Sequence, residues 1–184
     1  MPDPVSELER RIRAVLVALP RQIGEVAVNF ALDNWKRQGF LAGALQPWQP
    51  RRTVTKKNKG KPILVATGRL RRSISVLRVD RDTVVVGSNV PYARVHNDGF
   101  YGSVKVAAHQ RGQFVKEKRG TGKLTKTGKE RMMTVRKQVG QSDVRAHDRK
   151  MNIHKRQFLG NSPYLEANIK RLIAFQILKA ARTT

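Results

Sequence analysis

Apolar residues recur in steps of three and four through the first part of the chain: Val5, Leu8, Ile12, Val15, Leu16, Leu19, Ile23, Val26, Ala27 and Phe30. That spacing gathers them on one face and predicts a helix over residues 4–38. Asp3 before Pro4 is a natural N-cap and first-turn pair, and Ser6 to Glu9 offers a second capping box. Pro20 removes a backbone donor inside this stretch. The apolar phase continues past it, which predicts one kinked helix and not two. The pattern then changes. Residues 39–67 begin with Gly and Pro breaks in "GFLAGALQPWQPRR" and continue into "TVTKKNKGKP", a polar, basic stretch that reads as an exposed loop. β-Branched runs at 73–79 ("SISVLRV") and 83–87 ("TVVVG"), separated by "DRD", predict a β-hairpin. Helical spacing returns at 162–181, where Leu165, Ile169, Leu172, Ile173 and Ile177 share a face. Ser162 is its N-cap, Pro163 its first residue, and Glu166 complements the positive end of the dipole.

Residues 101–157 follow neither helical pattern and hold few large apolar side chains. They contain an internal echo: "VAAHQR" (106–111) and "VRAHDR" (144–149) share Val-x-Ala-His-x-Arg. The midpoint of His109 and His147 falls at Gly128, in "TKTGKE". This predicts a long β-ribbon, two arms around a glycine-rich tip. The assembled expectation is an α+β fold: a long N-terminal helix, a small antiparallel β-sheet, a protruding basic β-ribbon arm, and a C-terminal helix packed on the sheet. A single domain spans 1–184, with a basic loop at 39–67 and the basic arm inserted at 101–157.

Charge sharpens this picture. The chain has 38 Lys and Arg against 13 Asp and Glu, a formal net charge of +25. Nine basic and no acidic residues lie between Arg51 and Arg72, and residues 101–157 hold 16 Lys and Arg against four Asp and Glu. Self-repulsion on that scale opposes compactness, so an acidic partner, protein or nucleic acid, is expected to offset it. Aromatics do not interleave with the basic run. That points to contact with phosphate backbone or protein surface and away from base stacking. The absence of cysteine excludes disulfides, thiolate metal sites and a Cys nucleophile. No unbroken apolar run approaches the length of a bilayer span, no membrane partner is expected, and "MPDPVSELERR" has no signal-peptide core.

The one stretch with catalytic side chains close together is "VPYARVHNDG", residues 90–99. His96 and Asp98 suggest an acid/base couple. Residues two apart do not face each other on a helix, however. Asn97, Asp98 and Gly99 suit a helix end, where a cationic His96 would meet the negative end of the dipole. His109 and His147 would be cross-strand neighbours in the ribbon, without the further ligands a metal needs. No nucleophile elbow, phosphate-binding loop or zinc-protease motif is present. No enzyme activity, cofactor or metal is expected.

Three segments recur in a recognisable order: "ILVATGRLRRSISV" (63–76), "TVVVGSNVPYARVHNDG" (83–99) and "RQFLGNSPYLEANIKRLI" (156–173). Together they resemble the virion morphogenesis family of Mu-like tailed bacteriophages, related to the neck and tail-completion proteins of long-tailed phages. Thr67, Gly68, Leu70, Ser73 and Ile74 fit its first element. Gly87, Ser88, Tyr92, Ala93, His96 and Gly99 fit the second, and Arg156, Phe158, Leu159 and Gly160 the third. Gln157 stands where the family often has Pro. The resemblance implies a structural virion protein at the head–tail junction, in the neck or tail, made in the bacterial host cytoplasm. It implies a homo-oligomeric ring of roughly six or twelve subunits. Partners would be other neck, portal-side and tail-tube proteins, or the packaged DNA in the channel. Its Tyr-Ala-x-x-His-x-x-Gly is a fold signature without catalytic role, and Gly68, Gly87, Gly99 and Gly160 should form turns. On the arm, Arg111, Lys116, Lys118, Arg119, Arg136, Lys137, Arg145 and Arg149 are the expected partner contacts. The alternative is a nucleic-acid-binding protein without sequence preference that uses the same arm on phosphates.

Overall fold

A computed structural model describes residues 3–56 and 58–182, so Lys57 of the basic run lies outside the described residues. It divides into two compact units: residues 1–100 with 152–184, and residues 101–151. The first unit is built on helix α1, Pro4–Arg37, which runs unbroken through Pro20. Asp3 caps it by accepting the Val5 amide, so the second capping signal falls inside the helix. Gln38 ends it in a left-handed conformation (φ 54°). Short strands β1 (Gly39–Leu41) and β2 (Leu45–Pro47) form an antiparallel pair. The one-turn helix α2 (Arg69–Arg72) leads into hairpin β3 (Ile74–Val79) and β4 (Val84–Ser88), and helix α3 covers Ala93–Asp98.

α1 lies across the hairpin. A Cβ added at the buried Gly24 would meet Val76 Cγ2 at 2.8 Å and Val84 Cγ1 at 3.2 Å, so this position admits no side chain while the helix sits this close. The closing helix α4, Pro163–Arg182, packs along α1, and it is α1 that contacts β3 and β4. This corrects the expected packing of the C-terminal helix on the sheet. An amphipathic pattern reports that a face will be buried and not which surface buries it. Tyr164 lies beside Phe30, and Gln176 donates to Gln22 at 2.9 Å, so the two helices run antiparallel. Part of α1 also departs from expectation. A window within Val5–Arg37 has a mean hydropathy of 1.3, long and apolar enough to cross a bilayer by composition. Small and apolar residues score together there although no unbroken run exists. The same helix supplies Phe30, Ala31 and Trp35 to the protein interior.

The core gathers Ala31 and Trp35 of α1, Trp48, Leu70, Ile74, Val90, Ala93 and Phe158. Its centre is aromatic: Trp35 lies 4.5 Å from Phe158 and meets Trp48 edge-on at 5.7 Å, centroid to centroid.

The second unit is the ribbon. β5 (Phe100–Val106) pairs with β8 (His147–Ile153), and β6 (His109–Leu124) with β7 (Glu130–Val144) in a long antiparallel ladder. The turn lies at residues 125–129, closed by Thr125 N–H to Lys129 O at 2.7 Å, with Gly128 at φ 74°. The ribbon unit ends at Met151, short of the expected boundary at 157.

Candidate functional site

Two regions carry functional interest, one in each unit. In the first, the three sequence motifs converge on residues 156–159. The Phe158 ring is fully buried, and burying the ring forces its backbone inside, where each polar group needs a partner. Side chains from distant segments supply them. Asn97 Oδ1 accepts both the Phe158 and Leu159 amides at 2.9 Å. Asn34, itself buried, donates to Phe158 O at 3.2 Å and accepts the Leu41 amide at 3.1 Å. Trp48 Nε1 donates to Gln157 O at 2.7 Å. The Arg156 amide donates to His96 O at 2.9 Å.

This arrangement resolves the His-Asn-Asp triplet. Its working member is Asn97. Asp98 pairs with Arg94 at 3.7 Å and accepts from the Asn97 side-chain Nδ2 at 2.8 Å. His96 meets Tyr92 edge-on at 5.9 Å. Burial, and secondarily Arg156, hold the His96 pKa below the ordinary histidine range. His96 lies in the last turn of α3, the helix end the sequence predicts, but desolvation and the Arg156 guanidinium both oppose its charge there.

The other motif residues make contacts within the first unit. Leu70 and Ala93 are core residues. Thr67 O accepts from Arg72. Ser73 Oγ lies 2.6 Å from Ser88 Oγ, which also accepts the Val90 amide and closes the chain after β4. Gly68 and Gly160 take positive φ. Gly99 does too, at φ 80°, and a Cβ there would meet Lys155 N at 2.9 Å. Gly87 departs from the expected turn. It lies within β4 opposite Ser75, where a Cβ would strike the Leu77 side chain at 2.8 Å.

The ribbon differs in kind. It carries fourteen Lys and Arg against four Asp and Glu, and none of the ion pairs among the described residues lies in it. All eight expected contact residues are exposed. Lys116 stands opposite Arg136, Lys118 opposite Thr134, Arg119 opposite Met133, Lys137 opposite Val115 and Arg111 opposite Ser142. Arg145 lies between β7 and β8, and Arg149 on β8. Like charges placed directly across a ladder oppose its pairing. Arg136 is drawn over the Phe114 ring, 5.1 Å from its centroid. His109 pairs with Val144, not with His147, which corrects the expected histidine pair. The echo has another meaning. His109 Nδ1 lies 3.0 Å from Ala107 O, and His147 Nδ1 3.0 Å from Arg145 O. The repeated Ala-His marks the same local break in both arms, between β5 and β6 and between β7 and β8.

A family model for phage virion morphogenesis matches residues 5–177. The chain belongs to the phage virion morphogenesis family. Comparisons with curated proteins and with solved structures found no match. Membership places the protein in the assembly of a phage particle. The matched span includes all three motif segments and the ribbon between them.

Proposed function

We propose that this family member is a non-enzymatic structural protein of the head–tail junction, in the neck or at the completed end of the tail, acting as a ring of identical subunits. The observation that carries the reading is the ribbon. It is a charged two-stranded unit without a core, a form that is marginal alone in water. Its cations form no ion pair among the described residues. It also exposes Phe114, Val115, Leu124, Met132, Met133 and Val139. A surface both cationic and apolar suits a neighbouring protein that covers it. The first unit adds apolar surface of its own, with Val17 83% and Phe175 61% exposed on α1 and α4. Head-to-tail contacts between subunits would bury such faces and close a ring.

The test replaces Gln113–Gly140 with Asn-Gly. Gly112 and Gln141 are directly opposite, so a two-residue turn can join them. The shortened protein should melt as the parent does. In a phage relying on it, full heads and free tails should accumulate unjoined. Normal particle yield overturns the proposal. Binding of duplex DNA by the purified parent, with a steep fall of affinity in salt and its loss in the shortened protein, would reassign the ribbon to phosphate.

A further inference from the structure

The first unit contains a cavity of about 450 Å³. Its walls include Leu64, Leu70 and Tyr92, and Arg51, His96 and Arg156 line it as well. No acidic side chain lines it. The two guanidiniums are fixed by backbone carbonyls. Arg51 donates to Lys61 O at 2.6 Å and to Pro62 O. Arg156 donates to Gln49 O at 3.0 Å and Pro50 O at 3.2 Å. Neither has an ion pair among the described residues. Each keeps further N–H donors, and carbonyl dipoles leave its charge in place. The two are near enough that Arg51 adds to burial in pulling the Arg156 pKa down. His96 lines it as well, and its Nδ1 is buried without a hydrogen-bond partner. Leu64, on the wall, holds φ 59°, a left-handed conformation that costs a non-glycine residue stability and gathers at ligand sites.

Two immobilised guanidiniums without ion-pair partners, lining a cavity with no acidic side chain, are arranged for an anion. The aliphatic walls select its carrier. A duplex backbone does not fit a cavity of this size, and a bare phosphate leaves the walls unfilled. We propose that this cavity is a socket for a protein carboxylate flanked by an apolar side chain, inserted by a partner chain, with Arg51 and Arg156 as the carboxylate-binding residues.

The test is titration of the purified full chain, followed by the NMR signals of His96, Tyr92 and Leu70. The probes are N-acetyl-leucine, its uncharged analogue N-acetyl-leucinamide, and inorganic phosphate. N-acetyl-leucine should shift these signals saturably, and the amide should bind at least about tenfold more weakly, the expected loss of a charge-assisted hydrogen bond. Arg51→Gln should weaken N-acetyl-leucine by a similar factor. The comparison of acid with amide uses the unaltered protein, so it stands even if that substitution perturbs the loop. Equal binding of acid and amide, no saturable shift, or phosphate binding as tightly as N-acetyl-leucine each overturns the proposal.

Discussion

The residues around Phe158 and the strands of the ribbon use polar groups in opposite ways. Around Phe158, two asparagines and a tryptophan turn inward and satisfy a buried backbone. In the ribbon, the ladder satisfies the backbone, and the exposed cations on both strands form no ion pair among the described residues. One arrangement holds its own chain in place, and under the proposed function the other leaves its charge for a neighbouring protein. The contrast teaches where each part's free energy comes from. The first unit draws on burial and completed hydrogen bonds, whereas the ribbon draws on its backbone ladder, and in the proposed function its cations act on a second molecule.

The largest expected effect is Phe158→Ala. Removing a fully buried ring leaves a cavity between Trp35 and the chain, which should cost about 3–5 kcal/mol. Small domains have about 5–15 kcal/mol in total, so denaturant unfolding should show a large fall in midpoint. Neutralising Lys116 and Lys118 together should leave that midpoint unchanged. A comparable fall in both variants would erase the distinction between the regions.

Asn97→Ala comes next. It strands the amides of Phe158 and Leu159 in a partly buried site, with an expected cost of roughly 2–3 kcal/mol. Asn97→Asp combined with Asp98→Asn keeps an acceptor for both amides without setting two carboxylates together, and should lose less by the same measurement. Equal losses would mean that Asn97 acts by shape and not as a hydrogen-bond acceptor.

Acid should weaken the first unit through His96. Its folded-state pKa lies below the unfolded value of about 6.5. As pH falls, the unfolded chain takes up the proton first. The stability that neutral His96 contributes is complete above about 6.5 and is lost as pH falls toward the folded value. Thermal melting between about pH 7.5 and about pH 5 should show the decline, and His96→Gln should flatten it. Arg136 stands in the ribbon, so Arg136→Ala should leave the slope intact.

Much of this architecture is legible in the chain because its signals are local. Period-3.6 stripes marked α1 and α4, β-branched runs marked β3 and β4, and the Val-x-Ala-His-x-Arg echo located the ribbon turn within a few residues of Gly128. What stayed hidden depends on contacts distant in sequence. Asn34 hydrogen-bonds a carbonyl 124 residues away; its one trace is an amide at helical spacing from the apolar Phe30. Asn97 looks like an ordinary helix-end residue until residues 158–159 are placed against it. Arg51 and Arg156 become neighbours only through folding. β1 and β2 were concealed by their own Gly and Pro, which read as breaks in strands this short.

The smallest expected effect tests the other side of the contrast. Arg136 sits over Phe114 in the open, 5.1 Å from the ring centroid. Solvent screens such a contact, and its worth at an exposed site is about 0.5–1 kcal/mol. Arg136→Ala also relieves the like-charge pairing with Lys116, which offsets part of that loss. Global stability by denaturant unfolding should therefore move less than for Asn97→Ala, while any partner that covers the ribbon loses a cation and should bind more weakly. If Arg136→Ala destabilises the isolated protein as much as Asn97→Ala, the ribbon holds itself together as the first unit does, and its charge no longer implies a partner.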